Sequence, residues 1–262
     1  MKRIVLPFTT LFLLGWMMTE PDPQSANEHL VMAVLWYQTA AEMRALSYQT
    51  FYLAKIQLDM DRQNARKGTR RRAVVVDVDE TVLDNSPHSA KMILENKSFP
   101  YGWTDWVNRA NAEALPGAVE FMNYAVEKGY DVFYVSNRTE KDELAGTMKN
   151  LRERGFPQAD SSHIFLRMTE SSKEGRREMI RKTHDIVLLL GDNLNDLDSA
   201  FERKMIDDRF KETDRLKEEF GSRYIVLPNP IYGEWEGAAY KFQRGLSDDE
   251  KSRLRRGILK SF

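Results

Sequence analysis

The sequence predicts an α/β fold in which a parallel β-sheet carries helices on both faces. Three observations lead there. The run Ala73-Val74-Val75-Val76 holds four apolar residues, three of them β-branched, without polar interruption, the pattern of a strand buried on both sides. Strand and helix patterns then alternate toward the C-terminus, which implies right-handed βαβ units. Several of these strands also run into polar, reactive residues, and ligands of open α/β sheets bind outside the carboxyl ends of strands.

The chain of 262 residues is long enough for one large domain, or a core domain with a smaller cap. Lys+Arg number 39 against 40 Asp+Glu, a formal net charge of −1, so the basic surplus of a nucleic-acid-polymer binder is missing. No cysteine occurs, which excludes disulfides, a thiol nucleophile and zinc–thiolate sites. Lys2-Arg3, an apolar run over 4–18 and the polar stretch Thr19-Glu20-Pro21-Asp22-Pro23-Gln24-Ser25 read as an export signal or anchor plus linker over 1–26. No A-x-A cleavage site follows. Leu13-Leu14-Gly15-Trp16 would be a lipoprotein signal box if Trp16 were cysteine, so lipid attachment is not expected. The expectation is an exported protein that is membrane-associated at the cell surface or secreted.

The elements follow in order. Residues 27–68 form two helices: Leu30, Val34, Tyr37 and Ala41, then Leu46, Phe51, Leu53, Ile56 and Leu58, recur near helical spacing, and Gly68 lies past their end. Their aromatics Trp36, Tyr37, Tyr48, Phe51 and Tyr52 read as packing, and Arg70-Arg71-Arg72 as a solvated turn. The core comprises 73–85 and 115–262, interrupted by a polar and aromatic insert over 86–114 with Phe99-Pro100-Tyr101-Gly102-Trp103 in its middle. That insert reads as a cap. Together with the N-terminal helices it forms a small helical addition to one domain spanning 27–262. Strands are expected at 131–135, 162–166, 185–190 and 223–227. Helices are expected at 117–128, 140–154, 173–183, within 197–220 and at 247–259.

The first strand ends in Asp77-Val78-Asp79-Glu80-Thr81. Side chains alternate along extended backbone, so Asp77 and Asp79 point the same way. Two carboxylates that close repel, and the arrangement needs a cation, a shared proton or both. A bivalent metal with one proton is the chemistry of phosphoryl transfer through an aspartyl phosphate. The strand at 131–135 runs into Ser136-Asn137-Arg138, and that at 185–190 into Gly191-Asp192-Asn193-Leu194-Asn195-Asp196. Between them Lys173 opens a helix after Ser171-Ser172. Each residue also has a plainer explanation. Lys173 can pair with Glu178, Asp196 can cap a helix, Arg138 can form a structural salt bridge, and Asp84 and Asn85 can stabilise a turn. Four reactive strand ends in this order are harder to explain by chance.

These residues resemble the four motifs of the haloacid dehalogenase superfamily of phosphotransferases. Asp77-Val-Asp-Glu-Thr-Val-Leu-Asp-Asn-Ser-Pro87, Tyr134-Val-Ser-Asn-Arg138, Gly191-Asp-Asn-Leu-Asn-Asp196 and Pro228-Asn-Pro-Ile-Tyr-Gly-Glu-Trp-Glu-Gly237 look like the class C acid phosphatases, bacterial surface lipoproteins of which several act as 5′-nucleotidases. Glu80 agrees with this branch, and Trp16 departs from its lipidated cysteine. The resemblance implies a Rossmannoid parallel sheet and a Mg²⁺-dependent acid phosphatase acting on phosphomonoesters, nucleoside 5′-monophosphates among them. Asp77 would be the nucleophile, and Asp79 the acid that protonates the leaving group and then activates water. Asp77, the Asp79 backbone carbonyl and Asp192 would hold Mg²⁺, with Asp196 on a water of its shell. Ser136, Asn137 and Lys173 would bind phosphate, and Trp103 and Tyr232 would stack on a flat leaving group. Trp106 and Trp235 read as packing. A homodimer is a further expectation of the resemblance. The rivals are a sugar-phosphate phosphatase on the same fold and a catalytically idle surface-binding protein.

Overall fold

Ala73, Val74 and Val76 are each 0% exposed because their strand, β1 (Arg71–Val76), lies at the centre of a five-stranded sheet. In the computed structural model, which describes residues 27–64 and 70–262, β1 pairs in parallel with β4 (Asp131–Thr139) on one side and β6 (His184–Gly191) on the other. β5 (Ile164–Arg167) extends the sheet beyond β4 and β7 (Tyr224–Val226) beyond β6, giving the order β5-β4-β1-β6-β7, parallel throughout. The five expected strands all form. The longest of them, β4, runs on through Ser136 to Thr139. Residues 1–26, with the export or anchor segment expected there, and Gly68 lie outside the described residues. Among the described residues no helix is long and apolar enough to cross a membrane.

Helices cover both faces of the sheet, as parallel strands buried on each side require. On one face, α1 (Val31–Thr39), α2 (Ala41–Asn64), α5 (Ala118–Glu127) and α6 (Glu140–Glu153) enclose the larger core, which includes Phe51, Leu58, Phe121, Met122 and Leu151. On the other, Val75, Phe133, Leu189 and Tyr224 pack with Ile180 of α7 (Glu174–Arg181), Leu197 and Phe220. The chain then adds α8 (Ile206–Arg215), α9 (Glu234–Ala239) and α10 (Asp248–Ile258), the last begun by a reciprocal Ser247/Glu250 capping box. α1 and α2 part at Ala40, whose ψ of 125° is extended. Tyr37 and Phe51 are core residues, whereas Tyr48 and Tyr52, expected to pack, are 47% and 66% exposed. On a two-sided helix the same spacing serves an outer face as well as an inner one. Arg70, Arg71 and Arg72 are not a free basic turn. They pair with Asp185, Asp131 and Asp61, and the last two open β1.

The stretch after β1 folds as a short β2 (Leu83–Asp84), α3 (Ser86–Leu94), α4 (Trp103–Arg109) and β3 (Glu113–Ala114). β2 and β3 pair antiparallel and close it at its base. α4 lies against α6, and Gly146 is what allows the approach. A Cβ there would sit 2.7 Å from the Val107 carbonyl and 2.8 Å from Asn108 Cα. Backbone cannot yield as a flexible side chain can. Gly146→Ala is therefore expected to lower stability by about 1–3 kcal/mol in urea unfolding. Gly175→Ala, where nothing lies within 4 Å of the added carbon, should be neutral or slightly stabilising.

Candidate active site

The site forms where β1, β4 and β6 end side by side. The Asp77 N–H still donates to Leu190 O at 2.9 Å, so Asp77 leaves β1 in register with β6. The chain then turns sharply. Val82 and Leu83 N–H both donate to Val78 O (3.0 and 2.9 Å), and Glu80 takes the left-handed conformation at φ 54°. Such a backbone in a non-glycine residue is uncommon and is sustained by its surroundings. Here Glu80 is 0% exposed, and its carboxylate accepts from the Asn85 N–H at 2.8 Å and from the Tyr232 hydroxyl.

Asp77, Asp192 and Asp196 converge. One carboxylate oxygen from each lies within 4.8 Å of the others. Asp192 follows the end of β6 and is held from three directions. Thr81 Oγ1 donates to its Oδ1 (3.2 Å), its own N–H donates to Thr81 Oγ1 (3.1 Å), and Asn229 Nδ2 donates to its Oδ2 (2.7 Å). Asp196 folds back over Gly191, where a Cβ would lie 2.5 Å from Asp196 Cβ, so only glycine fits. Its Oδ2 accepts from the Asn193 N–H at 3.1 Å, while its Oδ1 takes the Lys173 ammonium at 2.6 Å. The N-cap of the 3-10 turn Leu194–Asp196 is Asn193 and not Asp196, which instead closes the turn as its third residue by accepting from the Asn193 N–H. Lys173, 4% exposed at the start of α7, also bonds Asp77 Oδ1, while Glu178 pairs with Arg181.

The charges explain one another. Burial pushes the Asp77 carboxyl up to about 7; Lys173 opposes that rise, and Asp196 and Asp79 add to it. Burial, then Asp196 and Asp77, raise Asp192 well above the ordinary carboxylate range. Burial alone would lower the Lys173 ammonium, but Asp196 and Asp77 outweigh it and its pKa rises. One ammonium among three crowded carboxylates leaves negative charge unbalanced. The donor set is all oxygen, which suits a hard divalent cation, so the residues present fit a metal.

Asp79, expected from strand alternation to point the same way as Asp77, points elsewhere, because the backbone turns after Asp77 instead of staying extended. Its Oδ1 accepts from Arg138 Nε (2.9 Å), Arg138 Nη2 (2.8 Å) and Asn85 Nδ2 (2.8 Å), and its Oδ2 accepts from Ser136 Oγ (3.0 Å). Arg138 is 2% exposed, also donates to Thr147 Oγ1 at 3.1 Å, and lies 5.7 Å from the centre of the Trp103 ring. Trp103 packs at its edge against His88 (5.2 Å) and is tilted on Phe99 (5.8 Å). Tyr232, 38% exposed, reaches the same turn through Glu80. Ser136 is buried and Asn137 exposed, both at the end of β4. Trp106 is half-buried and donates to Asn85 Oδ1 at 2.8 Å. Trp235, expected to pack, is 46% exposed with its Nε1 on Tyr232 O.

Of the residues expected from sequence, Asp77, Lys173, Asp192 and Asp196 meet directly, Asp79 and Ser136 form a second group beside them, Asn137 is exposed next to Ser136, and Trp103 and Tyr232 flank the Asp79-Glu80 turn. Thr81, Asn85, Arg138, Asn229 and Glu80 complete the site and were not given site roles from sequence. Each lies inside a motif already quoted, but nothing local says which of a motif's polar residues turns inward.

The pattern of the HAD superfamily, subfamily IIIB (acid phosphatase), matches residues 17–235. The fold superposes on the class C acid phosphatase from Bacillus anthracis with a TM-score of 0.87 and 45% identity, covering 91% of this chain and 99% of that one. The same protein with tungstate bound gives 0.86 and 47%, covering 90% and 98%. Among curated plant proteins, the stem 28 kDa glycoprotein of Glycine max is 28% identical over 60% of this chain, and acid phosphatase 1 of Solanum lycopersicum 26% identical over 60%. The chain spans 58% and 57% of the length of those two relatives. A chain with these strand-end acids, matched over most of its length by one family pattern and one fold, belongs to the haloacid dehalogenase superfamily, subfamily IIIB, the acid phosphatases, which hydrolyse phosphoric monoesters.

Proposed function

We propose that the chain is a Mg²⁺-dependent acid phosphatase that hydrolyses phosphomonoesters through an aspartyl phosphate and favours nucleoside 5′-monophosphates. The observation that carries this is the buried cluster of Asp77, Asp192 and Asp196 around Lys173 at the sheet's carboxyl edge. Asp77, Asp192 and the Asp79 backbone carbonyl would hold the metal, with Asp196 behind them. When bound, the cation would neutralise the crowded carboxylates and offset charge on the phosphoryl oxygens.

The chain's own residues divide the reaction. An Asp77 carboxylate oxygen attacks phosphorus in line with the departing alkoxide, so the Asp–O–P bond forms as the ester P–O bond breaks. Asp79 gives its proton to the alkoxide, then removes one from the water that hydrolyses the aspartyl phosphate, returning both acids to their starting states. Asp79 Oδ1 already accepts three donors, so the transferable proton belongs on Oδ2, beside Ser136. Ser136, the Asn137 backbone amide and Lys173 would bind the phosphoryl oxygens and stabilise charge in the transition state. Tungstate, a tetrahedral oxyanion, occurs in the Bacillus anthracis relative, in keeping with such a subsite.

Asp77→Asn should lower turnover of p-nitrophenyl phosphate with Mg²⁺ by roughly 10⁴-fold or more, and EDTA should abolish wild-type turnover. Normal activity in either case would sink the mechanism. Stacking is worth about 1–3 kcal/mol per base, so Trp103→Ala and Tyr232→Ala are expected to raise KM for nucleotides roughly 5- to 100-fold and to spare small alkyl phosphates. Equal losses on both substrate types would remove the stacking role. The metal also has a pH signature. Asp77 is raised from 3.8 to about 7 in the metal-free fold, so that state binds a proton the unfolded chain has released, and it loses stability as pH rises through this window. A cation that takes the proton's place cancels the loss. The rise in Tm on adding Mg²⁺ should therefore be larger at pH 7 than at pH 5, and a gain that is flat or reversed with pH would contradict this metal assignment.

A further inference from the structure

Three of the cations around the phosphoryl site are matched with acids. Lys173 binds Asp77 and Asp196, Arg138 binds Asp79, and Arg177 binds Glu174. Arg176 takes part in no ion pair among the described residues, although it sits on α7 only a turn beyond Lys173. Its half-buried guanidinium bonds neutral acceptors alone. Nη1 donates to Ser136 O (2.5 Å), and Nη2 to Asn137 Oδ1 (2.6 Å), Ser172 O (3.0 Å) and Ser171 O (3.3 Å). These acceptors belong to the two segments that carry the phosphate-binding side chains, the end of β4 and the loop into Lys173.

A count of charge gives that position meaning. With a divalent cation in place, Lys173 and the cation together balance Asp77, Asp192 and Asp196. Arg138 is held on Asp79, which in the proposed mechanism carries a proton when substrate arrives, so its charge adds to that of Arg176. An incoming phosphate dianion therefore meets a site to which Arg176 adds positive charge not spent on any acid, and a guanidinium stays protonated at any working pH. Neutral carbonyls fix the group in place without cancelling its field, which the half-buried setting screens less than bulk water would.

We propose that Arg176 supplies positive charge that helps draw and hold dianionic phosphate at this site, acting through its field at Ser136, Asn137 and Lys173. The inference rests on the reading of those three residues as the phosphate subsite. It is tested by calorimetric titration of inorganic orthophosphate into the full chain loaded with Mg²⁺, for wild type, Arg176→Gln and Arg176→Lys, at low and at high salt. Arg176→Gln should weaken Kd about tenfold at low salt and flatten the salt dependence, whereas Arg176→Lys, which keeps the charge but not the fork of donors, should stay within about threefold of wild type. A Gln variant that binds as well as wild type overturns the proposal. A Lys variant tenfold weaker than wild type also overturns it, since geometry and not charge would then be at stake, and this arm stands even if the Gln variant fails to fold. Wild type that binds no orthophosphate removes the phosphate subsite and this proposal together. Binding that is lost in Lys173→Met yet unchanged in Arg176→Gln removes the proposal alone.

Discussion

The Lys173 ammonium, buried between Asp77 and Asp196, is the contact on which the rest of the site depends. It joins three parts of the chain: the end of β1, the start of α7 and the loop after β6. Taking an ammonium and carboxylates out of water is costly, and the cost is met only when geometry is good and the remaining polar atoms are satisfied. That condition explains the surrounding detail. Thr81 and Asn229 hold Asp192, the Asn193 N–H holds Asp196, and Gly191 leaves room for Asp196 to fold back. Without the lysine, three carboxylates would face one another beneath the surface with no counter-charge from the chain.

Sheet order places these groups. β1 is central, with β6 on one side and β4 on the other, so the Asp77 end lies one strand from Asp192 and one strand from Ser136. The acids collect on the β6 side and the hydroxyl and arginine on the β4 side. Asp77 and Asp79, neighbours in sequence, accordingly have opposite environments. Asp77 sits among carboxylates and one lysine, while Asp79 rests on Arg138, Asn85 and Ser136. Two acids with distinct surroundings are suited to distinct roles, one as nucleophile and one as proton carrier.

The aromatic side of the site is built from longer links. Arg138 connects Asp79 to the Trp103 ring, α4 is brought in over Gly146, and Glu80 reaches Tyr232. Glu80 is central to that wall. Its left-handed backbone makes the turn after β1, and its buried carboxyl secures both the Asn85 amide and a tyrosine from the far end of the chain. The aromatic side chains Trp103 and Tyr232 are thereby tied to the turn that carries Asp79.

Sequence alone determined the class of fold, the five strands and the identity of the acids, hydroxyl and lysine at their ends. It could do so because strand burial and helix periodicity are written in short windows, and because a strand's carboxyl end has a known place in a parallel sheet. The tertiary structure decided which partners those residues take. Lys173 turned from its helical neighbour Glu178 to Asp77, 96 positions away, and Tyr232 met Glu80 across 152. Arg138, for which the sequence allows a structural salt bridge without naming its partner, became the partner of Asp79. Tyr48, Tyr52 and Trp235 went to the surface although their spacing or motif suggested packing. Contacts of this reach depend on which strands lie side by side and on which polar groups the core will accept without water. A local pattern does not contain either, because both are settled only when distant segments share one desolvated space.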